Sequence, residues 1–302
     1  MIQKKIKDVF RNELHLYIWD NVENPKGVIQ IVHGINEHGL RYCSFAEYLN
    51  LKGYIVYLHD QLSQGKSRTE KDQDVVYFDK NGIDSLEFGV IAVYDEIVAD
   101  YPDLNIYAIG HSLGAGVLRA CLIDDVVSYK KVILNGTGKS STKGMGFIIF
   151  VGGLIKLFGS KKPSNLFDGM FRETQYKLKE KVEMDHFIEW LTRDKGQNEI
   201  DKLDKYLYIR LSVSVFVDII KLFKYVNTKR NIAKIKRDNV FLLISGTHDP
   251  ATNFSIETSE LNDRFVSLGI DSTLYQNFEG RHDSFQETNK LEIYEKVVEF
   301  LN

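Results

Sequence analysis

The segment LNIYAIGHSLGAG, residues 104 to 116, sets the narrowest limit on what this chain can fold into. An apolar run rich in β-branched and aromatic residues leads into Gly110, His111, Ser112, Leu113 and Gly114. In a G-x-S-x-G pattern of this kind a buried strand turns sharply into a helix, with the serine at the apex in a strained backbone conformation. Side chains on either flank would collide with the adjacent strands, which is why Gly110 and Gly114 stand there. The segment therefore predicts a parallel sheet with helices on its faces.

The rest of the chain agrees with that architecture. Short apolar runs at 14–20, 27–34, 54–60, 104–110, 131–136, 239–246 and 272–278 read as strands, all but the first of them buried. Helical patterns at about 42–52, 83–100, 113–124, 254–268 and 284–301 lie between them. The expected fold is α/β, with a mostly parallel, doubly wound sheet. Alternation stops between residues 137 and 237, where HFIEWLTRD and FVDIIKLFKYV place apolar residues at helical spacing. That stretch reads as a helical insertion, and residues 1–136 and 238–302 as the core. The insertion has 21 Lys and Arg against 11 Asp and Glu, a net of +10, although the whole chain carries −3. A basic insertion sits on an acidic core.

A serine hydroxyl is a poor nucleophile until a base takes its proton, and the base must be oriented by a carboxylate. In this fold the order along the chain is serine, acid, histidine. Two histidines follow the insertion, His248 in SGTHDP and His282 in EGRHDSF. Asp249 leaves one strand end and His282 follows the next, where open α/β sheets place their sites. His248 is the weaker base, because its carboxylate neighbour would be adjacent in sequence and badly placed for the far side of its ring. The catalytic set expected is Ser112, Asp249 and His282. Two backbone N–H groups must hold the developing oxyanion. Leu113 offers one at the helix start, and Ile35 offers the other in the loop IVHGINEHGLRY, where Gly34 permits the turn and His33 supports it.

The set HGINEHGLRY, GHSLGAG, SGTHDP and EGRHD resembles the α/β-hydrolase superfamily. It is most similar to the lysophospholipase and monoacylglycerol lipase-like branch, which is grouped with serine aminopeptidase-like hydrolases. The resemblance covers nearly the whole chain, with WLTRD similar to the cap of bacterial members. It implies a mobile helical cap inserted after the sixth strand, an acyl pocket beneath it, a carboxylic ester or monoacyl lipid as substrate, and no cofactor. One position departs from the family: in DQLSQGKS (60 to 67), Gln64 stands where histidine is usual.

Other readings remain beside this one. A peptidase or amidase would use the same triad with a cap carboxylate holding a free amine, and Glu173, Glu189 and Asp194 are the candidates. A non-enzymatic binding protein on the same scaffold would have a broken triad. QGKS is no phosphate loop, since Asp60 stands where that motif needs glycine. Nothing points to a metal site or to nucleic acid. Trp190, Phe216, Phe223 and Tyr225 read as cap core rather than acyl pocket. His33 and His38 read as loop packing, His111 as a structural residue pointing away from attack, and Glu37 and Arg41 as supports of the oxyanion loop. The run GMGFIIFVGGLIKLFG (144–159) is too interrupted to span a membrane; it is either cap core or an interfacial helix. Two cysteines, Cys43 and Cys121, form no disulfide framework, and no signal peptide is evident, so the expectation is a cytoplasmic protein. Its basic insertion either is a solvated surface or draws the protein to an anionic membrane.

Overall fold

The computed structural model describes residues 1–68, 75–78, 80–138, 142, 144–156, 161–163 and 165–302. The seven apolar runs are strands of one sheet, and the N-terminal segment adds an eighth. The strands are β1 (Ile2–Lys7), β2 (Glu13–Trp19), β3 (Gly27–Val32), β4 (Tyr54–His59), the short β5 (Val75–Val76), β6 (Ile106–His111), β7 (Val132–Asn135), the short β8 (Arg210–Leu211), β9 (Val240–Gly246) and β10 (Asp271–Asn277). The sheet runs β1-β2-β4-β3-β6-β7-β9-β10, antiparallel from β1 to β4 and parallel beyond, while β5 and β8 pair separately.

Because successive strand residues face opposite sides, β3 sends Val28 and Val32 into one core and Ile29 and Ile31 into the other. The first core lies under α2 (Ile83–Asp100), α3 (Leu113–Ile123) and α9 (Ile256–Ser267); the second lies under α1 (Cys43–Leu51) and α10 (Lys290–Leu301). Gln30, buried in mid-strand, is satisfied by Val90 O at 2.9 Å and by the Tyr129 hydroxyl at 2.8 Å. Cys121 lies in the core and both thiols are free.

The last strand was expected to be buried. It is an edge strand, paired only with β9, and its Asp271, Thr273 and Gln276 are exposed. An edge strand needs only one covered flank, so a mixed apolar and polar run suffices. The expected helix at 284–301 begins at Lys290 instead, behind a 3-10 turn at Ser284–Gln286.

After β7, the sixth strand of the main sheet, the chain runs through α4 (Met145–Lys156), α5 (Asn165–Lys179), α6 (Lys195–Leu203), α7 (Val213–Asn227) and α8 (Lys229–Ile232). Helix α7 buries Val215, Leu222 and Val226 in the same cluster as α3. Arg119 of α3 is fully buried and donates to Gly138 O, Val226 O and Asn227 Oδ1, so one side chain ties both ends of the inserted stretch. Helix α4 turns Ile148 and Ile155 toward Val213 and Phe216 of α7, and leaves Phe147, Phe150 and Leu154 exposed. Residues 157–159 of the apolar run lie outside the described residues. The segment HFIEWLTRD forms a single 3-10 turn, Phe187–Trp190, rather than an α-helix.

Candidate active site

Strand β6 ends at His111, α3 begins at Leu113, and Ser112 joins them at φ 51° and ψ −114°. That left-handed φ is rare for a residue with a side chain and marks stored strain at a functional turn. A Cβ at Gly110 would sit 2.7 Å from Ala115 Cα, and one at Gly114 would sit 2.1 Å from Val32 O. Both glycines are required by backbone, which cannot step aside.

The structure brings His282 and Asp249 to this serine. His282 Nε2 lies 2.9 Å from Ser112 Oγ, and Nδ1 lies 3.0 Å from Asp249 Oδ2. Asp249 is fully buried, accepting from Ala251 N at 2.8 Å and from Thr252 Oγ1 at 3.1 Å. With a carboxylate on Nδ1–H, Nε2 is left as the acceptor for the serine proton. Burial disfavours a charged imidazole, but the charge and hydrogen bond of Asp249 outweigh it and hold the His282 pKa above the ordinary 6.5. His248 is placed elsewhere: its N–H donates to Gly280 O, and its partly exposed ring has a lowered pKa through burial.

In the loop after β3, the Gly34 N–H donates to Glu37 and the Asn36 N–H to Gln64 Oε1 at 2.6 Å. The Ile35 N–H between them meets no acceptor among the described residues. Leu113 is the first residue of α3, where a helix leaves its N–H unpaired. Both residues line the cavity above Ser112. Gln64 thus does a defined job: it holds the turn that presents Ile35. His33 fixes the same loop, with Nδ1 at 2.7 Å from Gly34 O and Nε2 accepting from Gln61 N at 2.9 Å. Burial lowers its pKa.

Arg41 supports this loop more extensively than its sequence context suggests. Its Nη1 donates to Glu37 Oε2 at 2.6 Å and to Asp283 Oδ2 at 3.1 Å, while Nη2 donates to Asp201 Oδ2 of α6 at 2.9 Å. All four side chains are at most 4% exposed. Burial pushes the Asp283 carboxyl up to about 7 despite the pull of Arg41. His38 adds a second bond to the insertion, 2.7 Å from Asp204 Oδ2. Glu37, His111 and Asp283 could approach one cation with ligand atoms within 4.8 Å of one another, but the Arg41 guanidinium already supplies the positive charge there.

A cavity of about 320 Å³ opens above Ser112, with Leu113, Met145, Leu191, Phe216, Ile219 and Phe223 among its walls. Phe216 and Phe223 of α7 and Trp190 of the 3-10 turn line the pocket. Phe216 and Trp190 at the same time belong to small buried clusters of the insertion, as expected of cap core, and Tyr225 bonds Asp124. His111 lines the cavity too, 4.9 Å from the His282 ring, and burial lowers its pKa to about 3, leaving it neutral. Sequence reasoning missed Thr252, which binds Asp249, and the stacking of Trp190 on His282 at 4.6 Å. The carboxylates of the peptidase reading lie elsewhere. Glu173 is exposed on α5, Glu189 caps the 3-10 turn, and Asp194 caps α6.

The family described as Hydrolase_4: Serine aminopeptidase, S33 matches residues 23–289. Among curated proteins, the chain is 33% identical over 105 residues to the monoglyceride lipase homolog of Monkeypox virus, a match covering 34% of this chain and 36% of that protein. It is 32% identical over 101 residues to the monoglyceride lipase of Mus musculus, covering 33% and 31%. With the monoacylglycerol lipase of Mycolicibacterium smegmatis it shares 25% over 148 residues, covering 48% and 49%. These matches span about a third to a half of the relatives' length. Among solved structures, a thermostable carboxyl esterase from Bacillus coagulans superposes with a TM-score of 0.89 at 18% identity, covering 100% of this chain and 97% of that one. The monoacylglycerol lipase of Paleococcus ferrophilus gives 0.69 at 18%, covering 95% and 98%. At such identities these neighbours show the fold.

Proposed function

The chain belongs to the Hydrolase_4 (serine aminopeptidase, S33) family and has the α/β-hydrolase fold, and from that premise we propose that it is a serine hydrolase of carboxylic esters, acting on a monoacyl lipid. The observation that carries the reading is the continuous Asp249–His282–Ser112 relay opening into a largely apolar cavity of about 320 Å³. In the mechanism, Ser112 Oγ attacks the ester carbonyl carbon while His282 Nε2 takes its proton. Asp249 stabilises the imidazolium through Nδ1–H, and the Ile35 and Leu113 N–H groups hold the oxyanion. The tetrahedral intermediate collapses, His282 gives the proton to the leaving alcohol oxygen, and the acyl group remains on Ser112. Water, deprotonated by His282, then releases the acid. The walls favour an acyl chain over a peptide because they are largely apolar and Glu173, Glu189 and Asp194 are not among the described lining residues. The lining carboxylate Glu37 is already bonded to Arg41 and the Gly34 N–H.

A series of chromogenic esters of increasing acyl length, with monoacylglycerol, lysophospholipid and an aminoacyl anilide, tests the proposal. Esters are expected to turn over on the wild type and to fall to background on Ser112→Ala. Cleavage of the anilide in preference to every ester would overturn it in favour of the peptidase.

The protein meets its substrate at an anionic membrane surface in this proposal. Helix α4 exposes Phe147, Phe150 and Leu154, and exposed Lys161, Lys162, Lys221 and Lys224 belong to the same insertion. No described helix is long and apolar enough to cross a bilayer, so the contact would be interfacial. Vesicle binding should rise with anionic lipid and weaken with salt, because basic side chains contribute on the order of 1 kcal/mol each at such a surface. Reversing the four lysine charges should reduce vesicle binding while a small soluble ester still turns over. Equal binding to neutral and anionic vesicles would return the lysines to a merely solvated surface.

A further inference from the structure

We propose that Trp190, supplied by the insertion, is a positioning residue for His282, whose imidazole it covers and stabilises in the protonated form that the transition state requires. The inference rests on the serine hydrolase reading. The two rings stack with centroids 4.6 Å apart and planes 20° apart, and both residues are less than a tenth exposed. A cation over an indole face is attracted by the ring quadrupole, and more strongly where water is excluded.

The stack is held by the backbone on both sides. His282 N donates to Trp190 O at 3.3 Å, and Asp283 N donates to Leu191 O at 2.8 Å. Thr192 Oγ1 donates to Gln286 O at 2.9 Å, and Arg193 Nε reaches Glu287 Oε2 at 3.0 Å. Arg281 donates to Glu189 O and Thr192 O. This lacing explains why HFIEWLTRD is not a helix: the carbonyls of Trp190 and Leu191 are committed to the histidine loop instead of to N–H groups further along their own segment. A segment bonded so fully to residues 281–287 stays with the base.

The charged and titratable groups around His282 are Asp249 on Nδ1, His111 on its other flank, and Glu37, Asp283 and Arg41 behind them. The Trp190 segment adds Glu189, paired with Arg281, and Arg193, paired with Glu287; substitution at 190 removes a charge from neither set. Trp190→Leu keeps an apolar cover and removes the π face; Trp190→Phe keeps a π face. The imidazole pKa of His282, followed by ¹H–¹⁵N NMR across pH, should fall by about half a unit or more in Trp190→Leu and stay near wild type in Trp190→Phe. On a soluble ester, kcat should drop about 5- to 20-fold in Trp190→Leu, with the acidic limb of the profile shifted down, and recover largely in Trp190→Phe. Equal kcat losses in both variants with an unmoved His282 pKa would overturn the inference. If the wild type hydrolysed no ester at all, the functional reading would fall, and the NMR titration would still decide the role of Trp190.

Discussion

Ser112→Ala, His282→Ala and Asp249→Asn are each expected to lose at least ~10³-fold in kcat on a soluble ester while remaining folded. Ser112 Oγ and His282 Nε2 are already at 2.9 Å, so the attacking oxygen and its base need no rearrangement before substrate enters. Asn at position 249 is the sharper test. It fits the same buried space, but its amide would donate to Nδ1 and force the proton onto Nε2, where it blocks transfer from serine. Thr252 and Ala251, which bind the carboxylate, favour holding the amide in that orientation only in part, so the loss should approach but not exceed that of His282→Ala. Double variants should be no worse than the worst single one, because three groups that move one proton fail together. Near wild-type turnover in His282→Ala, with activity abolished in His248→Ala, would move the base to His248.

Arg41→Ala is expected to destabilise the protein by about 3–5 kcal/mol at pH 8, because it leaves buried carboxylates without their partner. Glu37, Asp201 and Asp283 come from the oxyanion loop, the insertion and the histidine loop, and all converge on one guanidinium. The pH dependence has a definite sign. The Glu37 carboxyl is held at about 2, against burial, by its charged neighbours, and burial already pushes the Asp283 carboxyl up to about 7. Without Arg41 both rise further, so the deficit is small only below about pH 2 and grows as pH rises. Urea midpoints at pH 8 and pH 5 should therefore differ more between variant and wild type at the higher pH. Adding Asp201→Asn to Arg41→Ala should recover part of the loss. A deficit under about 1 kcal/mol, unchanged with pH, would mean that the carboxylates find other partners.

Much of this architecture was legible because it is written locally. Strand and helix periods and the glycines around Ser112 each occupy a few neighbouring residues, and Ser112, Asp249 and His282 each stand in a short motif whose order along the chain can be read directly. What escaped depends on pairs that only the sheet brings together. Arg41 meets Asp201 across 160 positions and Asp283 across 242, and no local spacing announces either bond. Trp190 over His282 is of the same kind, and its segment was misread as a helix since apolar spacing cannot show where the carbonyls will bond. Strand β1 was missed because IQKKIK is mostly exposed and buries little beyond Ile6. The burial of β10 was overestimated for the related reason that sequence does not show which strand lies at the edge.

The separation of 170 positions between Ser112 and His282 also orders events in time. At ~5–20 residues per second, roughly 10–30 s of synthesis separate Ser112 from His282. For most of that interval the elbow can be in place on β6 and α3 while β9 and β10 are still to be made, and the Ser112 hydroxyl has no imidazole beside it. Closing so long a loop is also slow for topological reasons, since distant pairings must form before they stabilise one another. On the proposed mechanism a nascent chain is silent until β10 docks and brings His282 to Ser112, and recovery of activity on refolding should trail recovery of helical signal.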